Sequence, residues 1–355
     1  MRYQIRPLTP IHIGDGSRLS KLDAVWAEKR LWAVDINKLV QKSGIDANEL
    51  ADSMELGQAF DMERLLREHR IVPGVVADYS LVCPEKPRGE ILTQLKDGFK
   101  RTYIPGSSIK GAIRTTLLWR RLKDDPILQD SANNLLQKAL NDPRARKEHF
   151  AQEIERIAFG KDPNHDFMRS VSISDTSPIS LDRLEVQKVG IMNPSPSSYT
   201  WKMYLFAEAI SEGTTTFFDM NIDKFLIKKE VAEELGFRET RMAEEIPKIC
   251  NSFAKQFIKD EIEFYANFGF KELEMFYQKL LRVTERRDLF LLHLGWGSGW
   301  HGMTVARLFP EYIGGIRSKF NLGRRGIEEF PKTRKIAFCN LQKYPLGWAW
   351  VTALK

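Results

Sequence analysis

The sequence has few cysteines and no long hydrophobic run. Three cysteines, Cys83, Cys250 and Cys339, occur in 355 residues, too far apart for a CxxC pair. This excludes a disulfide framework and favours a reducing compartment. No apolar run reaches the roughly 18 residues of a membrane span, and the opening MRYQIRPLTP contains no apolar signal-peptide core. We therefore expect a cytoplasmic protein without a membrane segment.

The common signatures of metal and nucleotide enzymes are also absent. The sequence contains no HxxH or HExxH pattern, so His165, Asp166 and Asp175 do not define a metal site. In GSSIKG (106–111) the lysine precedes the second glycine, which is the wrong register for a P-loop. We expect no metal and no cofactor. A literal GxGxxG from Gly297 to Gly302 leaves a dinucleotide-dependent enzyme as an alternative.

The charge of the chain is modestly positive and concentrated in one segment. With 54 Lys and Arg against 47 Asp and Glu, the formal charge is +7, and 43% hydrophobic residues are enough for a sizeable core. Residues 96–121 contain one acid, Asp97, and seven bases: Lys96, Lys100, Arg101, Lys110, Arg114, Arg120 and Arg121. An anionic partner is therefore compatible with this segment.

The hydrophobic pattern predicts mixed strands and helices. Residues 2–6 alternate as a half-buried strand, Asp97-Gly98 indicates a hairpin turn, and residues 46–69, 127–159 and 231–283 are helical in pattern. Because strands and helices do not alternate regularly, we expect an α+β fold with antiparallel sheets. The Pro- and Ser-containing segment 189–200 is interpreted as a linker or long loop, which divides the chain into units 1–190 and 191–355.

Three glycine-containing segments carry the candidate chemistry. Ser107 and Ser108 are expected to cap a helix whose free N–H groups suit a phosphate, with Lys110 and Arg114 four residues apart on one side. In LGWGSGWHGMTVAR (294–307), glycines beside Trp and His allow close approach of a sugar–phosphate chain. In HIGDG (12–16), Asp15 is interpreted as holding a turn.

Taken together, these segments resemble the RAMP superfamily of CRISPR proteins. The resemblance rests on HIGDG, IPGSSIKGAIR (104–114) and the glycine-rich loop. It narrows to the type III-A Csm-complex subunit that caps the crRNA 3′ end through four further segments: DFMRSVSISDTSP (166–178), EAISEGTTTFFDMNID (208–223), LGWGSGWHGMTV (294–305) and PLGWAWV (345–351).

The resemblance implies a fold, a function and a set of RNA-facing residues. The fold would be two ferredoxin-like (RRM-like) units with helical insertions. The function would be crRNA binding near the 3′ end, in contact with the adjacent backbone subunit and in support of crRNA maturation. Such subunits are regarded as non-catalytic, and a separate cellular nuclease trims the crRNA. The implied RNA-binding residues are Gly14, Gly16, Ser107, Ser108, Lys110, Arg114, Gly295, Gly297, Gly299, Trp300 and His301.

Two points remain open from the sequence. Relatives often have a small neutral residue at the position of Asp15, whose charge would repel phosphate, so this loop is either structural or close to RNA. The second point is catalysis. An endoribonuclease that uses His12 or His301 as general base is the main alternative to a non-catalytic subunit.

Overall fold

A computed structural model describes residues 1–55, 60–147, 150–195, 198–323, 330–339 and 342–354. These residues form fourteen strands: β1 Arg2–Pro7, β2 Gly14–Leu19, β3 Ala24–Ala27, β4 Arg30–Val34, β5 Ala77–Val82, β6 Ile91–Gln94, β7 Val171–Ile173, β8 Leu184–Ser195, β9 Ser198–Ile210, β10 Thr216–Ile222, β11 Phe290–His293, β12 Arg334–Cys339, β13 Gln342–Pro345 and β14 Trp348–Ala353. They also form twelve α-helices: α1 Ile36–Ser43, α2 Ala47–Glu55, α3 Met62–Glu68, α4 Pro73–Val76, α5 Gly106–Asp124, α6 Pro126–Asn141, α7 Gln152–Phe159, α8 Lys229–Leu235, α9 Ile246–Asn267, α10 Lys271–Val283, α11 Gly299–Met303 and α12 Pro310–Lys319.

The first sheet is antiparallel and has the order β11-β14-β1-β10-β7. Its centre is the N-terminal strand, where Tyr3 and Ile5 point into the core and Gln4 between them does not. This is the alternation expected for residues 2–6. Tyr3 stacks on Phe218 of β10, with ring centroids 5.5 Å apart.

The second sheet is mixed, with the path β2-β6-β9-β8-β5-β4-β3 and with β12 and β13 added beside β8. Most pairs are antiparallel, but β6 pairs with β9, and β5 with β8, in parallel. Antiparallel pairing therefore dominates, as expected, and these two parallel pairs make the second sheet mixed. The α+β class and the double ferredoxin-like architecture are confirmed.

Helices cover the sheets and form the predicted insertions. Helices α5 and α9 pack together, and the ring of Trp119 meets the ring of Phe253 edge-on at 5.6 Å. Helices α1–α4 have an apolar cluster of their own over β3, which includes Leu39 and Met62. Helical structure was predicted for residues 46–69, of which 56–59 lie outside the described residues.

The segment 189–200 is not a linker, and this prediction is wrong for the described residues. Strand β8 runs through Pro194 to Ser195 and pairs with β9, so that Pro194 lies opposite Tyr199. Proline is tolerated here because the position is at the end of the hairpin, where a missing N–H costs little. Residues 196–197 lie outside the described residues.

The boundary predicted at residue 190 falls inside β8. The first sheet combines β1 and β7 with the later strands β10, β11 and β14, and the second sheet also contains strands from both sides of residue 190. The sheets therefore do not follow the division into 1–190 and 191–355.

Candidate nucleic-acid interface

A cleft of about 780 Å³ brings the three glycine-containing segments together. HIGDG forms one wall, the first turns of α5 form the second, and the loop from Leu294 to Met303 forms the third. Five of the predicted residues line this cleft: Gly14, Gly16, Ser108, Gly295 and Gly299. Segments almost 300 residues apart in sequence thus form one surface.

Backbone hydrogen bonds join two of these walls. The N–H of Trp296 donates to the carbonyl of His12 at 2.9 Å, and next to these walls the N–H of Gly347 donates to the carbonyl of Pro10 at 2.9 Å. A Cβ on Gly295 would lie 2.2 Å from the His12 oxygen, and one on Gly297 would lie 2.2 Å from the Leu346 oxygen. These two glycines allow the chain to pack against itself, so their lack of a side chain is explained without RNA.

Other glycines leave the cleft surface bare. Gly16 and Gly299 have positive φ angles, and a Cβ on either would meet no atom within 4 Å. Gly111, on α5, likewise has open space where a side chain would be. A backbone exposed in this way permits the close approach of another chain.

The start of α5 differs from the prediction. The helix begins at Gly106, and neither Ser107 nor Ser108 caps it, because Pro105 occupies the N-cap position without a side-chain bond. Instead the Gly106 N–H donates to the Asp175 carboxylate at 2.8 Å. The expectation of a serine cap is wrong, and an acid of the protein itself already occupies part of the positive helix end.

The predicted pair Lys110 and Arg114 lies in a second cleft, of about 530 Å³, on another side of α5. The Arg114 guanidinium is bound to Glu155 at 2.9 Å and to Asp166 at 2.8 Å, so its charge is compensated within the fold. Lys110 makes no hydrogen bond or ion pair with any described residue, and partial burial lowers its pKa. Only Lys110 of this pair is therefore free to meet an external anion.

Most of the basic segment 96–121 is compensated in the same way. Besides Arg114, four more of its seven bases pair with acids: Lys96 with Glu208, Lys100 with Asp78, Arg101 with Asp97 and Arg120 with Asp124. Arg121 is buried and donates to the carbonyl of Arg238. The segment is basic in sequence, but most of its positive charges are neutralised by ion pairs within the fold.

A buried network around Glu208 holds the HIGDG loop. The carboxylate of Glu208 pairs with Lys96 and accepts from the Tyr79 hydroxyl at 2.6 Å, and the Glu208 carbonyl accepts from Nδ1 of His12 at 2.6 Å. With its proton on Nδ1, the His12 ring leaves Nε2 as an acceptor. Burial lowers the pKa of His12, so the ring is neutral near pH 7.

Asp15 does hold a turn, as predicted. Its carboxylate accepts from the Ser17 N–H at 2.8 Å and from the Thr93 hydroxyl at 2.5 Å. Both donors bind the same oxygen, Oδ1, and Asp15 is not among the residues that line the cleft. The Asp15 carboxylate therefore stabilises the loop through these hydrogen bonds.

Comparison with known proteins supplies the family. A model of the RAMP superfamily matches residues 4–301. The chain belongs to the RAMP superfamily.

The relatives of this RAMP protein confirm the resemblance to the type III-A Csm branch. The chain is 27% identical to the CRISPR system Cms protein Csm5 of Methanocaldococcus jannaschii, covering 100% of this chain and 89% of that protein. It is 26% identical to the protein of the same name from Streptococcus thermophilus, covering 72% of this chain and 70% of that one.

Two solved structures share the fold of this RAMP protein over nearly its whole length. A chain in the cryo-EM structure of a Csm–crRNA–target RNA ternary complex of a type III-A CRISPR–Cas system superposes with a TM-score of 0.78 at 24% identity, covering 99% of this chain and 100% of that one. The crystal structure of T. onnurineus Csm5 gives a TM-score of 0.71 at 22% identity, with the same coverage.

Trp300 and His301 of this RAMP protein line a separate, adjoining cavity of about 170 Å³ together with Gly297. The exposed Ser107 does not line the main cleft. The eleven predicted residues are therefore distributed over the main cleft, the cavity, the second cleft and the exposed start of α5.

Three residues that bring positive charge or open backbone to the main cleft were not predicted from the sequence: Lys335, Arg18 and Gly111. Lys335, on β12, lies over the Trp296 ring at 5.0 Å, and its ammonium group makes no hydrogen bond or ion pair in the described part of the chain. Arg18 pairs with Glu90 at 2.6 Å, but both side chains are more than half exposed, which makes the pair weak. A glycine inside a helix was the available signal for Gly111.

Three further results describe this RAMP protein. Among the described residues, no helix is long and apolar enough to cross a membrane. In the same part of the chain, no group of three or more His, Cys, Asp or Glu side chains is arranged to hold a metal ion. The GxGxxG stretch lies in a 3-10 turn and α11, after a strand that pairs antiparallel with β14, and this is not the parallel unit that a dinucleotide site requires.

Proposed function

We propose that this protein is a non-catalytic, crRNA-binding subunit of a type III-A Csm effector complex and that it holds the crRNA near its 3′ end. The observation that carries the proposal is the cleft in which HIGDG, α5 and the glycine-rich loop meet beside an unpaired lysine. The Csm5 relatives and the fold shared with a chain of a Csm–crRNA–target RNA complex support the same function.

The cleft binds RNA through charge and through bare backbone. Lys335 contacts one phosphate of the RNA. Arg18 gives up its weak surface ion pair with Glu90 and contacts a second phosphate. Gly16, Gly111 and Gly299 allow the sugar–phosphate chain to approach without meeting side chains. Because these contacts do not read base edges, binding through the cleft is largely independent of sequence.

Binding at the 3′ end explains a role in crRNA maturation. An RNA segment that lies in the cleft is shielded from nucleases, whereas the protruding segment is trimmed by a separate cellular nuclease. The other partners are the backbone subunit and the remaining subunits of the complex. In cells, a blocked cleft should broaden the distribution of crRNA 3′ ends, which sequencing of co-purified crRNA measures. An unchanged distribution would contradict binding at the 3′ end.

Two variants test RNA binding by the cleft. Lys335→Gln removes one phosphate contact, and we expect about a tenfold loss of affinity. Gly111→Glu places an acid in the open space of the cleft without an internal clash, and we expect a larger loss together with unchanged or higher stability. Fluorescence anisotropy with single-stranded RNA at several salt concentrations measures both effects.

The matched control is Lys343→Gln, since Lys343 already pairs with Glu272 and does not line the cleft. This variant should bind RNA as the wild type does. If both cleft variants also retain wild-type affinity at moderate salt, the cleft is not the RNA-binding surface.

An endoribonuclease remains the second candidate because Nε2 of His12 is an acceptor in the wall of the cleft. His301 is the weaker choice, since burial and nearby arginines lower its pKa to about 2, far from the value that suits a general base near neutral pH. We expect no cleavage of repeat-containing RNA by the purified protein. Cleavage that His12→Ala abolishes would establish the enzyme instead.

A further inference from the structure

The cavity of about 170 Å³ beside the main cleft is lined mostly by residues that the cleft does not contain. It lies between α9, α11 and β12, and it shares His293, Ser298, Gly299 and Lys335 with the cleft. The cleft and the cavity therefore adjoin at these four residues, of which Ser298 and Gly299 are small. A group attached to a chain in the cleft would enter the cavity past these shared residues.

Three buried polar atoms of residues that line this cavity have no hydrogen-bond partner among the described residues. They are Nδ1 of His301, Nε1 of Trp300 and, in the part of the lining shared with the main cleft, Nδ1 of His293. Burying an unpaired donor or acceptor is costly, and most buried polar groups in proteins are paired. Two such atoms on consecutive residues of one short helix indicate that a partner arrives from outside the chain.

The walls favour a neutral aromatic ligand over an anion. Phe257 and Tyr265 provide ring surfaces, and the His301 ring meets the Phe257 ring edge-on at 6.5 Å. The carboxylate of Glu261 and the guanidinium of Arg334 are also in the wall. Because they pair at 2.8 Å, this part of the wall offers a phosphate no uncompensated positive charge. Burial keeps His301 uncharged, so its ring offers one donor and one acceptor.

We propose that the cavity receives one nucleobase of the RNA strand bound in the main cleft, turned out of the strand and held by His301 and Trp300. A nucleobase is flat, aromatic and neutral, and its edges carry both donors and acceptors, which matches the walls and the unpaired atoms of His301 and Trp300. Lys335, at the entrance, contacts the phosphate of the same nucleotide. This inference rests on the proposed function, since it requires RNA in the cleft.

The test combines a protein variant with single abasic sites in the RNA. In the full-length wild type, an abasic site at one position of a short single-stranded RNA should weaken binding about tenfold, and other positions should have little effect. His301→Phe keeps a ring of similar size but removes both nitrogens. We expect this variant to bind intact RNA more weakly and to lose the extra effect of that one abasic position.

Thermal unfolding separates ligand binding from a structural role. His301→Phe removes a buried atom without a partner at nearly constant ring size, so the unfolding temperature of the free protein should stay equal or rise. Trp300→Phe also removes ring volume beside Phe330, so it should lower the unfolding temperature, but by less than a variant that also breaks a hydrogen bond. The control Trp26→Phe makes the same chemical change where Nε1 donates to the Cys83 carbonyl at 2.9 Å. It should lower the unfolding temperature and leave the abasic pattern unchanged.

The outcomes distinguish the two proposals. RNA binding in which all abasic positions are equivalent would overturn the nucleobase cavity and leave the proposed function standing. Failure of the full chain to bind RNA would overturn both. If free nucleosides shift the unfolding temperature while RNA shows no special position, the cavity takes a small molecule, and the inference is wrong.

Discussion

At the scale of single residues, the glycines of the site divide into two kinds. Gly295 and Gly297 lie against carbonyl oxygens of the protein itself, whereas Gly16, Gly111 and Gly299 face open space. The same residue type thus allows internal packing at some positions and leaves a bare surface at others. Sequence spacing alone does not distinguish these two uses.

Substitution by alanine should lower the unfolding free energy by different amounts at the two kinds of glycine. In Gly299→Ala only the positive φ is unfavourable, which costs about 1 kcal/mol of unfolding free energy. In Gly295→Ala the new Cβ also overlaps the His12 carbonyl oxygen, so the cost should be at least about 3 kcal/mol. Urea unfolding of both variants measures the difference. Equal losses would show that the close contact is absent in solution.

Buried histidines should make stability sensitive to mild acid. Burial lowers the pKa of His293 to about 4 and that of His301 to about 2. In the unfolded chain both titrate near 6.5, so the unfolded state takes up protons first as the pH falls. The unfolding free energy should be steady above pH 7 and should fall by about 1–2 kcal/mol per histidine between pH 6.5 and 5.

Urea titrations at pH 7 and pH 5 measure this dependence. His301→Phe should show a smaller difference between the two pH values than the wild type, because one of the titrating groups is gone. If the wild type and His301→Phe lose the same unfolding free energy between pH 7 and pH 5, His301 is not buried and neutral in the folded protein.

At the scale of elements, the β8–β9 hairpin depends on a glycine against aromatic rings. A Cβ on Gly190 would lie 2.6 Å from the Trp201 ring and 2.7 Å from the Phe338 ring. The glycine allows these rings to pack across β8, β9 and β12. Segment 189–200 was interpreted as a linker because prolines and serines outweighed its apolar residues, although strand pairing decides its structure.

Gly190→Ala should therefore destabilise the protein by about 1–3 kcal/mol through overpacking. The control is Gly314→Ala, at an exposed position of α12 where a Cβ meets no atom within 4 Å, and it should be neutral or stabilising. Chemical unfolding compares the two variants. Full stability of Gly190→Ala would contradict the packing of Trp201 and Phe338 at this strand.

At the scale of the whole molecule, the ends of the chain are joined in one sheet. Strand β1 pairs with β14 on one side and with β10 on the other. Both sheets therefore need residues from each half of the sequence. This pairing also places HIGDG beside the glycine-rich loop and thereby forms the cleft.

Fragments 1–190 and 191–355 should consequently not fold separately. Each would lose sheet partners, and the cut divides β8. We expect neither fragment alone to unfold cooperatively, while the two together restore a folded complex. Circular dichroism melting of the separate and mixed fragments measures this. Cooperative melting of an isolated fragment would support the division into two sequence-contiguous units.

The hydrophobic pattern of the sequence was informative where it concerns a single strand or helix. The alternation at residues 2–6 predicted β1, and the helical pattern of residues 231–283 predicted the region that contains α9, because side-chain periodicity reports which face of an element is buried. Charge was less informative. Arg114 is basic in sequence, yet it is compensated by Glu155 and Asp166, which lie 41 and 52 positions away.

The sequence by itself determined the α+β class, the family resemblance and the three segments that meet in the cleft, since these follow from local periodicity and motif order. Only the tertiary structure decided which positive charges remain free, which glycines are exposed, and that Trp300 and His301 lie in a separate cavity. The physical reason is that ion pairing and burial depend on distances between residues that are remote in sequence, and strand pairing sets those distances.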